Sequence, residues 1–223
     1  MWHDHPDKQA CIDALADDIA ARLRARLADQ GACTLAVSGG RSPIPLFQRL
    51  AGTDLEWARV RLRLVDERYV PPTHDDSNER LVREHLLAGK AAAASFLGLY
   101  RPGASITQAV TTANADAQPV GLALLGMGDD GHTASLFPEA PQLAAALAPG
   151  AAHYLHVTPP SAPHERITMS LAALRACDHL ILYISGQHKR QVLLEAQKEI
   201  SQHLPISHLA AEPGVPFDVH WHP

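Results

Sequence analysis

The amino-acid sequence predicts an α/β protein: a single domain over residues 1–223, built on a doubly wound, mostly parallel sheet with helices on both faces. Three observations predict it. Short apolar runs of strand length alternate with segments of helical periodicity. Several apolar runs end at a glycine-rich or acidic motif, which is where such a sheet places its ligands. The chain also has no internal repeat and no long linker, and 223 residues at 46% hydrophobic content suffice for one core.

The elements follow in order. From Asp7, the residues Ile12, Leu15, Ile19, Leu23 and Leu27 recur at helical spacing, and Gly31 stops the helix. Cys33 to Val37 is a short apolar strand. Ser38-Gly39-Gly40-Arg41-Ser42-Pro43 follows it, with Ser42 expected as N-cap and Pro43 at the first helical position before Leu46, Phe47 and Leu50. Val60 to Val65 is a second strand and runs into Asp66-Glu67-Arg68, where Glu67 and Arg68 are neighbours able to pair. Ser77 is expected to cap a helix carrying Leu81, Val82, Leu86 and Leu87. A strand over Phe96–Tyr100 and a helix over Ile106–Ala117 precede the apolar run Val120 to Leu125. Further strands are expected at Ile167–Met169 and His179–Ile184. Gln187 to Ile200 reads as a helix with Val192, Leu193, Ala196 and Ile200 inward. Pro205 ends that stretch, and Asp218–Trp221 is expected as an edge strand. The stretches Ala91–Ala94 and Pro138–Gly150 read as surface connections.

Composition excludes several classes of function. The formal net charge of −5 is spread without single-sign blocks, so there is no nucleic-acid footprint. No run approaches the ~18 apolar residues of a membrane span, and the N-terminus has no apolar signal core. Cys11, Cys33 and Cys177 have neither metal-ligand spacing nor a disulfide framework, which points to a reducing, cytoplasmic setting. His3, His5, His220 and His222 sit near frayed ends and receive no role.

The most informative stretch is Leu124 to Pro138. A buried strand ends in a loop with Gly126, Gly128 and Gly131, and that loop carries Asp130 and His132 two residues apart. An imidazole beside an acid suits general-base chemistry at neutral pH. As a bare pattern it also fits a solvated glycine turn. Ser38-Gly39-Gly40 entering a helix exposes backbone N–H groups and forms an anion cradle, without the lysine of a P-loop or the spacing of a dinucleotide fold. Arg41, Lys189 on the first turn of a helix, and Arg166 ahead of an apolar strand are candidate cations for that anion. Asp66 and Arg68 stand at a strand tip. No G-x-S-x-G elbow surrounds Ser38 or Ser135, which argues against a serine nucleophile.

Together these residues resemble the 6-phosphogluconolactonases, the soluble sugar-phosphate lactonases of the pentose phosphate pathway. The matching pieces are Ser38-Gly39-Gly40 with Pro43, Val65 to Arg68 with Ser77-Asn78, Leu125 to Pro138, Arg166-Ile167-Thr168, and Gly186 with Lys189. They occur in the family's order. The chain departs from the family's common Ser-Thr-Pro, having Arg41-Ser42-Pro43, and looks trimmed between Leu87 and Gln118. The resemblance implies hydrolysis of 6-phospho-D-glucono-1,5-lactone to 6-phosphogluconate with no metal or organic cofactor. It assigns His132 as general base and Asp130 as its partner. It gives the phosphate to the backbone of Ser38, Gly39 and Gly40 with Arg41, Arg166 and Lys189, and the sugar end to Asp66 and Arg68, with Gly128 in the site loop. The implied partner is the small sugar-phosphate lactone, handled by a monomer or small homo-oligomer with no nucleic acid or membrane. Two other readings stand beside it: a glucosamine-6-phosphate deaminase/isomerase-like enzyme and a non-catalytic sugar-phosphate sensor. The isomerases carry a Glu where this chain has Phe137, and an apolar residue cannot relay a proton. Intact Asp130 and His132, and the lack of a DNA-binding extension, favour an enzyme over a sensor.

Overall fold

The computed structural model describes residues 1–160 and 162–223. Its centre is a seven-stranded sheet whose pairings are all parallel. The strands are β1 (Trp2–Asp4), β2 (Cys33–Val37), β3 (Val60–Leu64), β5 (Ser95–Phe96), β6 (Leu122–Leu125), β9 (Leu180–Ser185) and β10 (Phe217–His222), in spatial order β1-β10-β9-β6-β2-β3-β5. Parallel neighbours need crossover connections, and helices supply them. These are α1 (Lys8–Gln30), α2 (Ile44–Ala51), α3 (Asn78–His85), α4 (Ile106–Ala115), α5 (Leu143–Leu147), α6 (Leu171–Arg175), α7 (Gln187–Ala196) and α8 (Ser207–Ala210). The four-residue β6 and five-residue β2 are buried throughout. Continuous apolar runs are what a sheet covered on both faces requires.

Local chemistry sets the ends of these elements. Asp7 caps α1 by accepting from the Ala10 N–H at 2.9 Å. Gly31 closes α1 at φ +77°, a left-handed position that glycine occupies without a Cβ penalty. Ser77 caps α3 through the Arg80 N–H. Ile12, Leu15, Ile19, Leu23 and Leu27 are all buried, as their spacing predicts.

A second sheet, antiparallel and three-stranded, departs from the sequence expectation. It joins β4 (Asp66–Arg68), β8 (Arg166–Met169) and β7 (Tyr154–Val157) in the order β4-β8-β7. The chain leaves β3 at Val65 and re-pairs at once with β8, so the Asp66-Glu67-Arg68 motif is a strand in its own right. Short mixed-polarity strands such as these carry little periodic signal.

Other expectations need correction. Pro43, not Ser42, stands at the cap of α2, and no side chain caps that helix. The Phe96–Tyr100 strand shrinks to Ser95–Phe96, and α4 and α7 stop at Ala115 and Ala196. Ile200 is 48% exposed because the helix ends before it. Leu143 and Ala146 of α5 are buried, so Pro138–Gly150 is more than a surface connection. The termini are ordered: β1 covers β10, which is therefore no edge strand. His220 and His222 are 2% and 7% exposed, and the His3 and His220 rings stack 4.5 Å apart. The strand expected at Asp218–Trp221 is present as β10, but β1 was not expected. Among the described residues no helix is long and apolar enough to cross a membrane.

Candidate active site

Chain order runs from β2 outward to β3 on one side, while β6 lies on the other side of β2. The connections after β2 and β6 therefore diverge, and the crevice between them is where an open parallel sheet binds ligands. A cavity of about 310 Å³ lies there. It is lined by the loop after β2 (Ser38, Gly39, Gly40), the tip beyond β3 (Asp66, Arg68), the loop after β6 (Gly126 to Gly128, His132, Ala134) and the end of β9 with α7 (Tyr183, Ser185, Lys189).

The glycine loop builds the central pair. His132 Nδ1 lies 2.5 Å from Asp130 Oδ1, and the same carboxylate oxygen accepts from the His132 backbone N–H at 3.2 Å. A short charge-assisted contact of this kind fixes both ring orientation and tautomer. With Nδ1–H donating to Asp130, the lone pair resides on Nε2. The loop is closed by Gly128 N–H to His132 O (2.9 Å), Gly131 N–H to Gly128 O (3.1 Å) and Thr133 Oγ1 to Gly126 O (2.9 Å). Gly128 is required by proximity: a Cβ there would collide with the His132 ring and with Asp130. Behind the imidazole stands Phe137, ring centroids 4.3 Å apart and planes inclined by 31°.

Asp66 is 8% exposed and ties the site loop to the β3 tip, since its Oδ2 accepts from Ser135 Oγ at 2.7 Å. Asn78 Nδ2 donates to the Asp66 carbonyl, and Arg68 Nη1 donates to the Asp76 carbonyl (2.7 Å) and to Asn78 Oδ1 (3.2 Å). Glu67 does not pair with Arg68's side chain. Its fully buried carboxylate accepts from the N–H groups of Arg68, Asn78 and Glu79 and from Ser77 Oγ, clasping the start of α3. Burial pushes the Glu67 carboxyl up to about 7, against the pull of those backbone donors.

The cations divide. Lys189 lines the cavity and donates to the Met127 carbonyl at 2.6 Å, so its ammonium is parked at the site loop. Gly186, at φ +82°, starts the helix that carries it. Arg166 is 5% exposed and does not itself line the cavity. Its Nη2 donates to Pro163 O, its Nε is buried without a partner, and its guanidinium lies 5.9 Å from the Phe137 ring centroid. In the β4–β8 register Arg166 is directly opposite Arg68. Burial and then Arg68 hold its pKa below the ordinary arginine range. Like charges directly opposite one another are unfavourable, and the carboxylates of Asp66, Glu67 and Asp76 offset part of that repulsion. Arg41 is exposed and does not line the cavity. Ser38 Oγ, by contrast, lines it and is buried with no partner, a free hydroxyl for a ligand.

The sequence reading missed Asn78 as a site residue, although it stands in the motif after β4. It missed Tyr183 as well, which β9 delivers from a plain apolar run. Ala134, also missed, adopts φ +51°, a conformation unfavourable for a residue with a Cβ, held between the buried Thr133 and Ser135.

This chain is 44% identical to a 6-phosphogluconolactonase of Pseudomonas aeruginosa over 94% of its own length and 89% of that protein. It is 41% identical to a 6-phosphogluconolactonase of Neisseria meningitidis over 96% of each. The crystal structure of a 6-phosphogluconolactonase from Shewanella baltica superposes with a TM-score of 0.94 at 35% identity, covering all of this chain and 97% of that one. The family profile described as glucosamine-6-phosphate isomerases/6-phosphogluconolactonase matches residues 6–221, and the chain belongs to that family.

Proposed function

We propose that this protein hydrolyses 6-phospho-D-glucono-1,5-lactone to 6-phosphogluconate, the lactone-opening step of the oxidative pentose phosphate pathway, within one domain spanning residues 1–223. The observation that carries the reading is the Asp130–His132 pair at the wall of the cavity, with Phe137 against the imidazole. The relatives named above support the choice of substrate.

His132 Nε2 takes a proton from water as that water attacks the lactone carbonyl. Asp130 accepts from Nδ1–H and stabilises the imidazolium that forms. The tetrahedral intermediate then collapses with loss of the ring oxygen, which leaves as the C5 hydroxyl after receiving a proton. Breaking the C1–O5 bond opens the ring and yields the carboxylate. Asp66, oriented by Ser135, faces the sugar hydroxyls. Backbone N–H groups of Gly39 and Gly40, the unpartnered Ser38 hydroxyl and Lys189 hold the phosphate. Arg68 adds charge from the cavity wall and Arg166 from the strand beside it.

The isomerases carry a second carboxylate, a Glu, where this chain has Phe137, and here a phenyl ring packs against His132 in its place. The three cysteines are buried thiols without disulfides, which fits a cytoplasmic setting. The deciding experiment generates the lactone in situ with glucose-6-phosphate dehydrogenase and follows its disappearance. Catalysed decay supports the assignment. Turnover of glucosamine 6-phosphate, or binding without decay, refutes it.

A further inference from the structure

Outside the cavity, His74, Asp76 and His164 bring three ligand atoms within 4.8 Å of one another, the one cluster of its kind among the described residues. They come from two separate segments, the loop before α3 and the turn before β8. Asp76 Oδ2 is shared: His164 Nε2 lies 2.9 Å from it and His74 Nδ1 lies 3.8 Å from it. The two rings meet edge to face, centroids 5.2 Å apart. His164 adopts φ +70°, in the left-handed region that histidine enters more readily than most residues.

We propose that His74, Asp76 and His164 form a binding site for a borderline transition-metal cation of the Zn²⁺ type, separate from the lactone-opening machinery. The donor set is two imidazoles and one carboxylate, which suits such ions and not Mg²⁺ or Ca²⁺. Tetrahedral Zn²⁺ with bonds of about 2.0–2.1 Å keeps its ligand atoms about 3.3 Å apart. The two separations from Asp76, 2.9 and 3.8 Å, bracket that spacing, and the two imidazole nitrogens lie within 4.8 Å of each other, so ion binding requires the rings to draw together. The side chains are 44%, 51% and 27% exposed, which gives an ion access and leaves a position for water.

Protonation is compatible with ligation. His74 Nδ1 accepts from the Asp76 N–H at 3.1 Å, so it already carries a lone pair, which it would exchange from the amide to the ion. His164 Nε2 donates to Asp76. On ligation that proton moves to Nδ1, which leaves the Nε2 lone pair for the ion. The Asp76 carbonyl also accepts from Arg68, which links the site to the cavity wall by one residue.

The test is calorimetric titration of the EDTA-stripped full-length protein with ZnCl₂ in a non-chelating buffer, beside His74→Ala, His164→Ala, Asp76→Asn and His132→Ala variants. Fold is checked by circular dichroism, and His74→Gln and His164→Gln serve as shape-conserving replacements. We expect one binding event that weakens at least tenfold in each His74, Asp76 and His164 variant and persists in His132→Ala. An affinity unchanged by the first three, or lost only with His132, overturns the proposal.

Discussion

Phe137 and His132 lie ring against ring, centroids 4.3 Å apart, so one face of the imidazole is closed to water while its Nδ1 edge is held by Asp130. This arrangement holds the ring by packing on one side and by a single hydrogen-bonded edge on another. It leaves Nε2 as the nitrogen free for chemistry.

The first prediction concerns that nitrogen. His132→Ala should remove about 10²–10⁴-fold of the rate above spontaneous lactone decay, the usual contribution of a positioned base. The ring is part-exposed on a loop, so the fold should survive. A folded variant with near-normal turnover would show that another group takes the proton.

Gly128→Ala should be nearly as harmful. Its new methyl would meet the His132 ring and Asp130, so either the loop opens or the imidazole leaves its place. We expect a drop in kcat of tenfold or more with KM little changed. Gly40→Ala makes a useful contrast. No atom lies within 4 Å of its added methyl, and its φ of +95° should show as lost stability rather than a misplaced base. Equal kcat in wild type and Gly128→Ala would refute the steric account.

Much of this site could be read from the chain. Glycine-rich and acidic motifs after apolar runs located the ends of β2, β3 and β6, because a strand tip is where polar residues interrupt a buried run. Of the second sheet only the Ile167–Met169 strand was legible, and its pairing was not. Arg166 sits in a strand whose other residues look core-like, and only pairing with β4 sets it opposite Arg68. Tyr183 reaches the cavity from inside an apolar strand, where its hydroxyl gives no periodic signal. The edge strand β1 escaped notice because it is only three residues long, with Trp2 against the core and His3 stacked on His220, too short to show a period.

Mild acidification sets two groups of buried side chains against each other. Burial holds His5, His153, His179 and His208 below the ordinary histidine value, so the fold favours their neutral forms. Such groups contribute fully above the unfolded value of about 6.5, and the contribution is lost as pH falls from there through the depressed folded values. Glu67 works the other way: with its folded pKa raised to about 7, its contribution is present at low pH and lost as pH rises from its unfolded value, about 4.3, towards 7. The two sets oppose each other between pH 7.5 and 5.5, and Glu67→Gln, which removes the group that stabilises on acidification, should make melting temperature fall more steeply with decreasing pH than in the wild type. A flat profile in both proteins contradicts the assignment.

Chelation should leave lactone turnover intact. The proposed chemistry uses His132, Asp130 and water, and the proposed cation cluster at His74, Asp76 and His164 lies outside the cavity lining. Activity measured after exhaustive EDTA treatment and after added Zn²⁺ checks this. Loss on stripping with recovery on metal addition would place an ion in the reaction.

The last prediction separates phosphate from fold. Lys189 reaches the cavity wall, and a charge-assisted hydrogen bond of this kind contributes about 1.5–3 kcal/mol. Lys189→Ala should then lower kcat/KM for the phosphorylated lactone about tenfold to a hundredfold. Unphosphorylated gluconolactone, with no dianion to hold, should lose far less. Arg166 is buried behind Phe137 with an unpartnered Nε, so its removal leaves a gap in the packing as well as a weaker field at the phosphate. Arg166→Ala should show the same preference in weaker form, together with a fall in Tm of about 2–4 °C for each kcal/mol of stability lost. Lys189→Ala should keep its Tm, since its ammonium is part-exposed and its protein partners are the Met127 carbonyl and, at 4.0 Å, the exposed Asp129 carboxylate. Equal proportional losses on both lactones in Lys189→Ala would place that ammonium at the reacting carbonyl instead of the phosphate.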